Sequence, residues 1–426
     1  MNENYARFSD LLRREVVPAL GCTEPIAVAL TAARAAEALG HVPESLTVEA
    51  SANLLKNGMG VMVPGTGGMG LAIAAAAGAI GGDSRLGLEC LAHLDQGSVQ
   101  KAREMLERGA VELKLPDNDI LLFCKVTARH GQHEGCAELR DGHSNITRVW
   151  KDGSLVYDGH AERMEQEDDG TWPLTLAGIF DFANNADATT ADFMLDVAAM
   201  NRQVAEEGLK AHYGLGVGMN MDEQVRRRIL SDDLSSFAIK LTAAAADARM
   251  AGVMMPVMSN SGSGNQGLTC TMPVVAAAIR LEKTDGELAR ALVMSHLTSI
   301  HIKHHLGRLS AHCGAMVAAT AAACGVVHIM GGGLREMEMT VRNMVGNVAG
   351  MICDGAKSSC ALKVASAVGA GIQAAMLAMG GSSVPGHEGI VDDDIETCIA
   401  NLGRLGSSGM RETDRVILDI MLNKKG

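Results

Sequence analysis

The feature that most limits how this chain can fold is the run from about residue 173 to the end. Ala- and Gly-rich segments with helical spacing follow one another there, broken by short glycine motifs. Aromatic residues make up only 3% of the chain, so the core must come from Ala, Leu, Val, Ile and the 26 Met. Small side chains let helices approach closely, and Met fills the irregular gaps. Residues 111–157 differ. VELKL, LLFCKVTAR, GCAELR, NITRVW and SLVY are short and alternating, with DND, DGH and KDG between them. That pattern predicts an antiparallel sheet. The fold class expected is α+β, a large mainly α-helical portion with a smaller α+β portion containing that sheet.

The N-terminal elements follow the same rules. Residues 5–17 read as an amphipathic helix with Phe8, Leu11, Leu12 and Val16 on one stripe. A second helix is expected from Pro25 to Leu39, with Thr23 as N-cap, Glu24 in the first turn and Gly40 as the stop. LTVEASANLL (46–55) reads as a strand, 56–70 as a glycine-rich loop, and 73–81 as a short helix. The acidic EQEDDG at 165–170 reads as a solvated linker. Three portions are expected. Residues 1–45 are N-terminal helices packed on the helical portion, 46–165 the α+β portion, and 170–426 the helical one.

Charge and composition exclude several classes. A net charge of −13 opposes binding to nucleic acid or to an anionic membrane surface. The start, MNENYARFSDLLRREVV, lacks a signal-peptide pattern. Stretches 313–333 and 361–381 are apolar but Ala- and Gly-rich, with polar interruptions at Thr320, His328, Lys363, Ser366 and Gln373. They read as buried helices rather than membrane spans. Ten scattered cysteines in a long chain suit free thiols in a reducing cytoplasm. The apolar helices are compatible with a homo-oligomer.

Four cysteines stand out. Cys22 precedes a helix start, where free N–H groups and the dipole favour a thiolate. Cys313, Cys353 and Cys360 lie in SAHCGAM and MICDGAKSSCALKV. Three thiolates can hold an iron–sulfur cluster and leave one iron open. Their spacing matches neither a zinc ribbon nor a ferredoxin motif, so unrelated buried cysteines, or zinc, remain alternatives. Cys324 is a rival ligand. Cys90, Cys124, Cys136, Cys270 and Cys398 read as packing thiols. Two loops, KNGMGVMVPGTGG (56–68) and SNSGSGNQG (259–267), offer backbone N–H groups and small polar side chains to an anion. Lys56, Asn57 and Ser261 are the candidates there for a substrate carboxylate. His301 and His305 lie one helical turn apart, a spacing that can bind zinc. Lys303 and Arg308 nearby oppose a cation, so a structural role is favoured.

GCTEP (21–25), the 56–68 loop, SGSGNQG (261–267), LGRLSAHCG (306–314), GNVAGMICDGAKSSCALK (346–363), EGIVDDD (388–394) and GMRETDRVILDIM (409–421) together resemble the L-cysteine desulfidase family. That family is also called the cysteine desulfhydrase or UPF0597 group, and it is related to the α portion of iron–sulfur L-serine dehydratases. The resemblance spans nearly the whole chain. It implies a [4Fe–4S] cluster held by Cys313, Cys353 and Cys360, and Cys22 as proton acceptor. It makes Cys324 a non-ligand. It also implies a lyase that converts L-cysteine to sulfide, ammonia and pyruvate by α,β-elimination. L-Serine, deaminated by the same machinery, is the nearest alternative. An iron–sulfur redox sensor without catalysis is the alternative of another class.

Overall fold

The computed structural model of the protein describes residues 3–118, 120–159, 172–307 and 310–423. The expected linker at 165–170 and Arg308 lie outside the described residues. The chain opens with α1 (Glu3–Glu15), β1 (Pro18–Leu20), α2 (Thr23–Leu39), β2 (Ser45–Ala50) and α3 (Ala52–Gly58). A two-residue-stranded hairpin, β3 (Met62–Val63) and β4 (Gly68–Met69), leads to α4 (Leu71–Gly81) and α5 (Gln96–Glu107). Strands β5 (Val111–Lys114), β6 (Phe123–His130), β7 (His133–Arg140), β8 (Ile146–Lys151) and β9 (Ser154–Asp158) follow.

The second half is α6 (Leu176–Asn185), α7 (Ala188–Gly208), α8 (Val217–Arg226), α9 (Leu234–Met250), β10 (Pro256–Met258), α10 (Gly264–Arg280) and α11 (Asp285–Leu306). It ends with α12 (Gly314–Ile329), α13 (Leu334–Val348), α14 (Cys360–Met379), α15 (Ile395–Arg404) and α16 (Arg411–Leu422).

The six-stranded sheet runs in the order β5-β2-β6-β7-β8-β9. Strands β6 to β9 form the expected antiparallel meander. VELK departs from it. As β5 it lies on the far side of β2 and runs parallel to it, so the sheet is mixed. The expected strand over 46–55 stops at Ala50, and Leu54 and Leu55 belong to α3. A short apolar run has no period long enough to separate strand from helix.

Two large hydrophobic cores result. One joins α2, α4 and α5 to the sheet through Ile26, Leu30, Val48, Leu71, Val126 and Leu139. The other is helical and takes in α1 through Phe8, Leu11, Leu12 and Val16, together with residues from 174 to 402. The two N-terminal helices therefore part company. α1 packs on the helical portion, and α2 on the sheet.

β1 ties the halves together. It pairs antiparallel with β10, Ala19 opposite Val257. Ser259 and Ser261 extend the tie by donating backbone N–H bonds to Val17 and Glu15. The chain leaving β1 thus reaches residue 22 beside the loop that leaves β10. α10 and α12 are buried along most of their length, as small-residue helices must be. Among the described residues, α14 is the one helix long and apolar enough to cross a membrane by length and composition. It packs on α9, α12 and α13.

Candidate functional site

One cavity, of ≈ 90 Å³, lies between the two halves. It is lined by Cys22, Glu24, Asn57, Arg249, Asn265, Cys313, Cys353 and Cys360 among others. Local structure explains the convergence of the cysteines. Cys22 is the N-cap of α2, one residue before the expected Thr23, and no side chain caps that helix. Cys313 is the N-cap of α12, also without a side-chain cap. Cys360 is the first residue of α14, whose N-cap Ser359 makes no side-chain bond. Three uncapped helix starts therefore face the same space, and uncapped N–H groups with their dipoles favour negative charge. Cys353 arrives by another route. Its N–H donates to Ala311 O (2.7 Å), and the Cys313 N–H donates to Met351 O (2.9 Å). This two-residue bridge, His312 opposite Ile352, sets two of the cysteines side by side.

The loop between Cys353 and Cys360 presses against α3. Ala356 N–H donates to Asn57 O, and Gly355 sits at φ +95° with a Cβ position 2.4 Å from Lys56 O. Only glycine fits there, by conformation and by space. The contact brings Asn57 into the cavity wall.

Electrostatics within the cavity are polarised. Burial pushes the Cys22 thiol up to about 12, against the pull of Arg249, and Glu24 and Cys360 push it further. Burial thus outweighs the helix start in setting the thiol, and Arg249 is the neighbour that favours its ionised form. Burial also raises Cys313 to about 12, with Cys353 adding to it, and raises Cys360. Burial opposes the charge on Lys363, but Asp354 first, and then Cys313 and Cys353, raise its pKa. Lys363 pairs with Asp354 and donates to Ile352 O. Glu24 goes the other way. Burial opposes its ionisation, but His143, the bonds to its own backbone and to Thr23, and Arg249 together hold its carboxyl below the usual range. Its Oε2 accepts from Thr23 (3.0 Å) and from the Cys22 sulfur (3.6 Å), and its Oε1 from Asn57 Nδ2 (3.2 Å). His143, from the β7–β8 turn, stands 3.9 Å from Oε1.

The family model for the serine dehydratase alpha chain matches residues 88–419. A UPF0597 protein of Oleidesulfovibrio alaskensis is 58% identical over 426 residues, covering all of both chains. UPF0597 proteins of Bacteroides fragilis and Bacteroides thetaiotaomicron are 45% and 44% identical, each over at least 97% of both chains. This chain belongs to the serine dehydratase alpha-chain family.

The serine dehydratase match contains the three cysteines and Arg249, while Cys22, Glu24 and Asn57 precede it. The full-length UPF0597 relatives carry the likeness across those positions too. Iron–sulfur chemistry goes with this family, so the donor set can be tested for fit. All three thiols are free, and all three line the cavity. A single zinc would hold its sulfurs within ~3.8 Å of one another, given Zn–S bonds of ~2.3 Å. Among the described residues, the group of His, Cys, Asp and Glu ligand atoms within 4.8 Å of one another is His301, His305 and Glu396, not the cysteines. Wider spacing suits a cluster, in which each sulfur takes a different iron.

The other sequence candidates lie elsewhere. Lys56 is 2% exposed and pairs with Asp414 of α16 at 2.5 Å, so its charge is used in holding the C-terminal helix on α3. Ser261 lines a separate cavity with Trp172, Lys303 and His304, and its Oγ is bonded to Asn260. Cys324 lies eleven residues along α12 from Cys313, ~16 Å at the helical rise. The five packing cysteines are all buried. Sequence reasoning missed Arg249 and His143, and read Glu24 only as a helix-start residue.

In the group formed by His301, His305 and Glu396, the ligand atoms of His301 and Glu396 already have partners. The indole N–H of Trp172 donates to His301 Nδ1 at 2.9 Å, so that nitrogen accepts. The other, Nε2, therefore carries the proton and donates to Glu396 at 2.6 Å. The second Glu396 oxygen accepts the Leu176 N–H at the start of α6. Both His301 nitrogens are used in tying α11, α15 and α6 together.

Proposed function

We propose that this member of the serine dehydratase alpha-chain family is an iron–sulfur lyase that degrades L-cysteine to sulfide, ammonia and pyruvate. The observation that carries the reading is the shared cavity, in which Cys22 faces Cys313, Cys353 and Cys360. Those three residues would hold a [4Fe–4S] cluster. Bound there, the cluster would leave one iron without a protein ligand, a Lewis acid for the leaving sulfur.

The chain's own residues account for the remainder. Cys22, as thiolate, is the proton acceptor. The Arg249 guanidinium favours its thiolate form. The α-carbon gives its proton to the Cys22 sulfur, and the C–H electron pair becomes the Cα=Cβ bond. The Cβ–S bond breaks, and sulfide leaves with its pair. The released aminoacrylate tautomerises to an imine, and water converts that to pyruvate and ammonia. Burial of Cys22 keeps water from its sulfur during the transfer. Free thiols throughout the chain suit a reducing cytoplasm.

A second reading is favoured by the family's own description, which names serine. A hydroxyl would then leave in place of sulfide. Anaerobic reconstitution, iron and sulfide analysis, and a paired assay on L-cysteine and L-serine test both. Sulfide and pyruvate should appear in equal amounts from cysteine, with the higher specificity constant. Undiminished turnover in protein shown to lack iron would overturn the mechanism for either substrate.

A further inference from the structure

We propose that Arg249 and Glu24 form a clamp for a zwitterionic α-amino acid, the guanidinium receiving its carboxylate and the carboxylate receiving its ammonium group. The choice of L-cysteine as ligand rests on the function proposed above. The clamp itself rests on geometry.

Arg249 ends α9 and is 4% exposed. Its Nη2 donates to Gly21 O (2.7 Å) and its Nη1 to Asn265 Oδ1 (3.1 Å). Both acceptors are neutral. The Cys22 sulfur also lies within its reach, but among the described residues its Nε–H has no acceptor and no carboxylate lies within 4.0 Å of the guanidinium. A buried guanidinium is normally matched by an anion, because an unmatched charge away from water is costly. Gly264 makes room for it, since a Cβ there would stand 2.2 Å from Nε. The protein thus builds a buried cation against a cavity wall and fixes its orientation with neutral partners. A carboxylate brought by a ligand is what that arrangement lacks.

Glu24 is the counterpart. Its side chain is 13% exposed, and among the described residues its ion-pair neighbour is His143 at 3.9 Å, with no lysine or arginine within that distance. Thr23, Asn57 and Cys22 orient its two oxygens, and a carboxylate has lone pairs to spare beyond those bonds. Glu24 and Arg249 line the same cavity without pairing with each other. Cys22 is influenced by both and bonded to Glu24. A zwitterion spanning the two charges would hold its α-carbon in the cavity that the Cys22 sulfur also lines.

The test uses three thiols that differ only in the groups at issue. L-Cysteine carries both charges, 3-mercaptopropionate only the carboxylate, and cysteamine only the ammonium. Binding of each to the anaerobically reconstituted holoenzyme is measured by calorimetry, with cysteine also followed by KM and kcat. Wild type should bind cysteine more tightly than either analogue. Arg249→Gln should weaken cysteine and 3-mercaptopropionate by about tenfold or more and leave cysteamine unchanged. Glu24→Gln should weaken cysteine and cysteamine and leave 3-mercaptopropionate unchanged. Arg249→Lys and Glu24→Asp, which keep the charges, should show the same pattern more weakly.

Equal weakening of all three ligands, or a fall in kcat with binding unchanged, overturns the clamp and leaves the pair as neighbours that adjust Cys22. Should a variant fail to fold, wild type still decides, because equal affinity for all three thiols overturns the clamp. The crossed pattern without sulfide release keeps the clamp and removes the proposed function. Sulfide release without the crossed pattern does the reverse.

Discussion

Two clusters in this molecule offer three metal-ligating side chains each, and they differ in what their neighbours leave open. Around His301, His305 and Glu396, both His301 nitrogens and both Glu396 oxygens have partners in the chain. Around Cys313, Cys353 and Cys360, three helix starts are uncapped, the sulfurs are free of disulfides, and Arg249 Nε and Asn57 Oδ1 have no hydrogen-bond partner among the described residues. Ligand atoms packed tightly together do not by themselves make a site. The tighter triad holds three helices, and the looser one faces a cavity. The distinguishing mark is unsatisfied polar capacity where water is scarce, which native interiors avoid unless something else fills it.

Substitutions can break that comparison. The largest effect is expected for Cys353→Ser, which should lower iron and sulfide content after reconstitution and abolish turnover. Full iron content in that variant would remove Cys353 from the ligand set. Cys22→Ala should retain iron and the brown colour while turnover falls by about 10²–10⁴-fold, the usual worth of a positioned base. His301→Ala should do the opposite. Iron content should stay at the wild-type level, while thermal unfolding reports a loss of about 2–3 kcal/mol from stranded Trp172 and Glu396 groups. Loss of iron with His301 would make the closed triad a metal site after all. Asp414→Asn leaves the Lys56 ammonium buried and should cost about 3 kcal/mol.

The smallest effect sharpens the comparison through pH. His296 is fully buried, its Nδ1 near Asn260 and its Nε2 near Thr271, and burial lowers its pKa to about 3. The unfolded chain binds the proton near pH 6.5. The folded state therefore binds fewer protons between those values. Its contribution is complete above pH 6.5 and falls as pH drops toward 3, by about 1 kcal/mol at pH 5.5. Denaturant titrations at pH 7 and 5.5 should show this slope in wild type and a flatter one in His296→Gln.

The sequence was legible where the signal was local. The stripe Phe8, Leu11, Leu12 and Val16 is buried in α1, and the meander from β6 to β9 follows its turn residues. It was illegible where partners were distant. Nothing in VELK says that it pairs parallel with β2 instead of joining the meander. Lys56 looked like an anion-binding residue of a glycine loop, but its partner lies 358 positions away. The four cysteines could be picked out by motif, while their meeting depends on β1 pairing with β10 and on the bridge at His312 and Ile352. Arg249 left no trace because a basic residue in the last turn of a helix is ordinary. His143 was hidden in DGHSN, which reads as a turn and nothing more.

The pairing of β1 with β10 carries a consequence for biosynthesis. Residue 22 leaves the ribosome early, and its three sulfur counterparts emerge more than 290 positions later. Until residue 360 has been translated, a nascent chain holds Cys22 without the complete set of thiols that lines the cavity with it. On the function proposed above, iron loading would wait for the close of synthesis, and a chain ended before residue 360 would lack the third ligand.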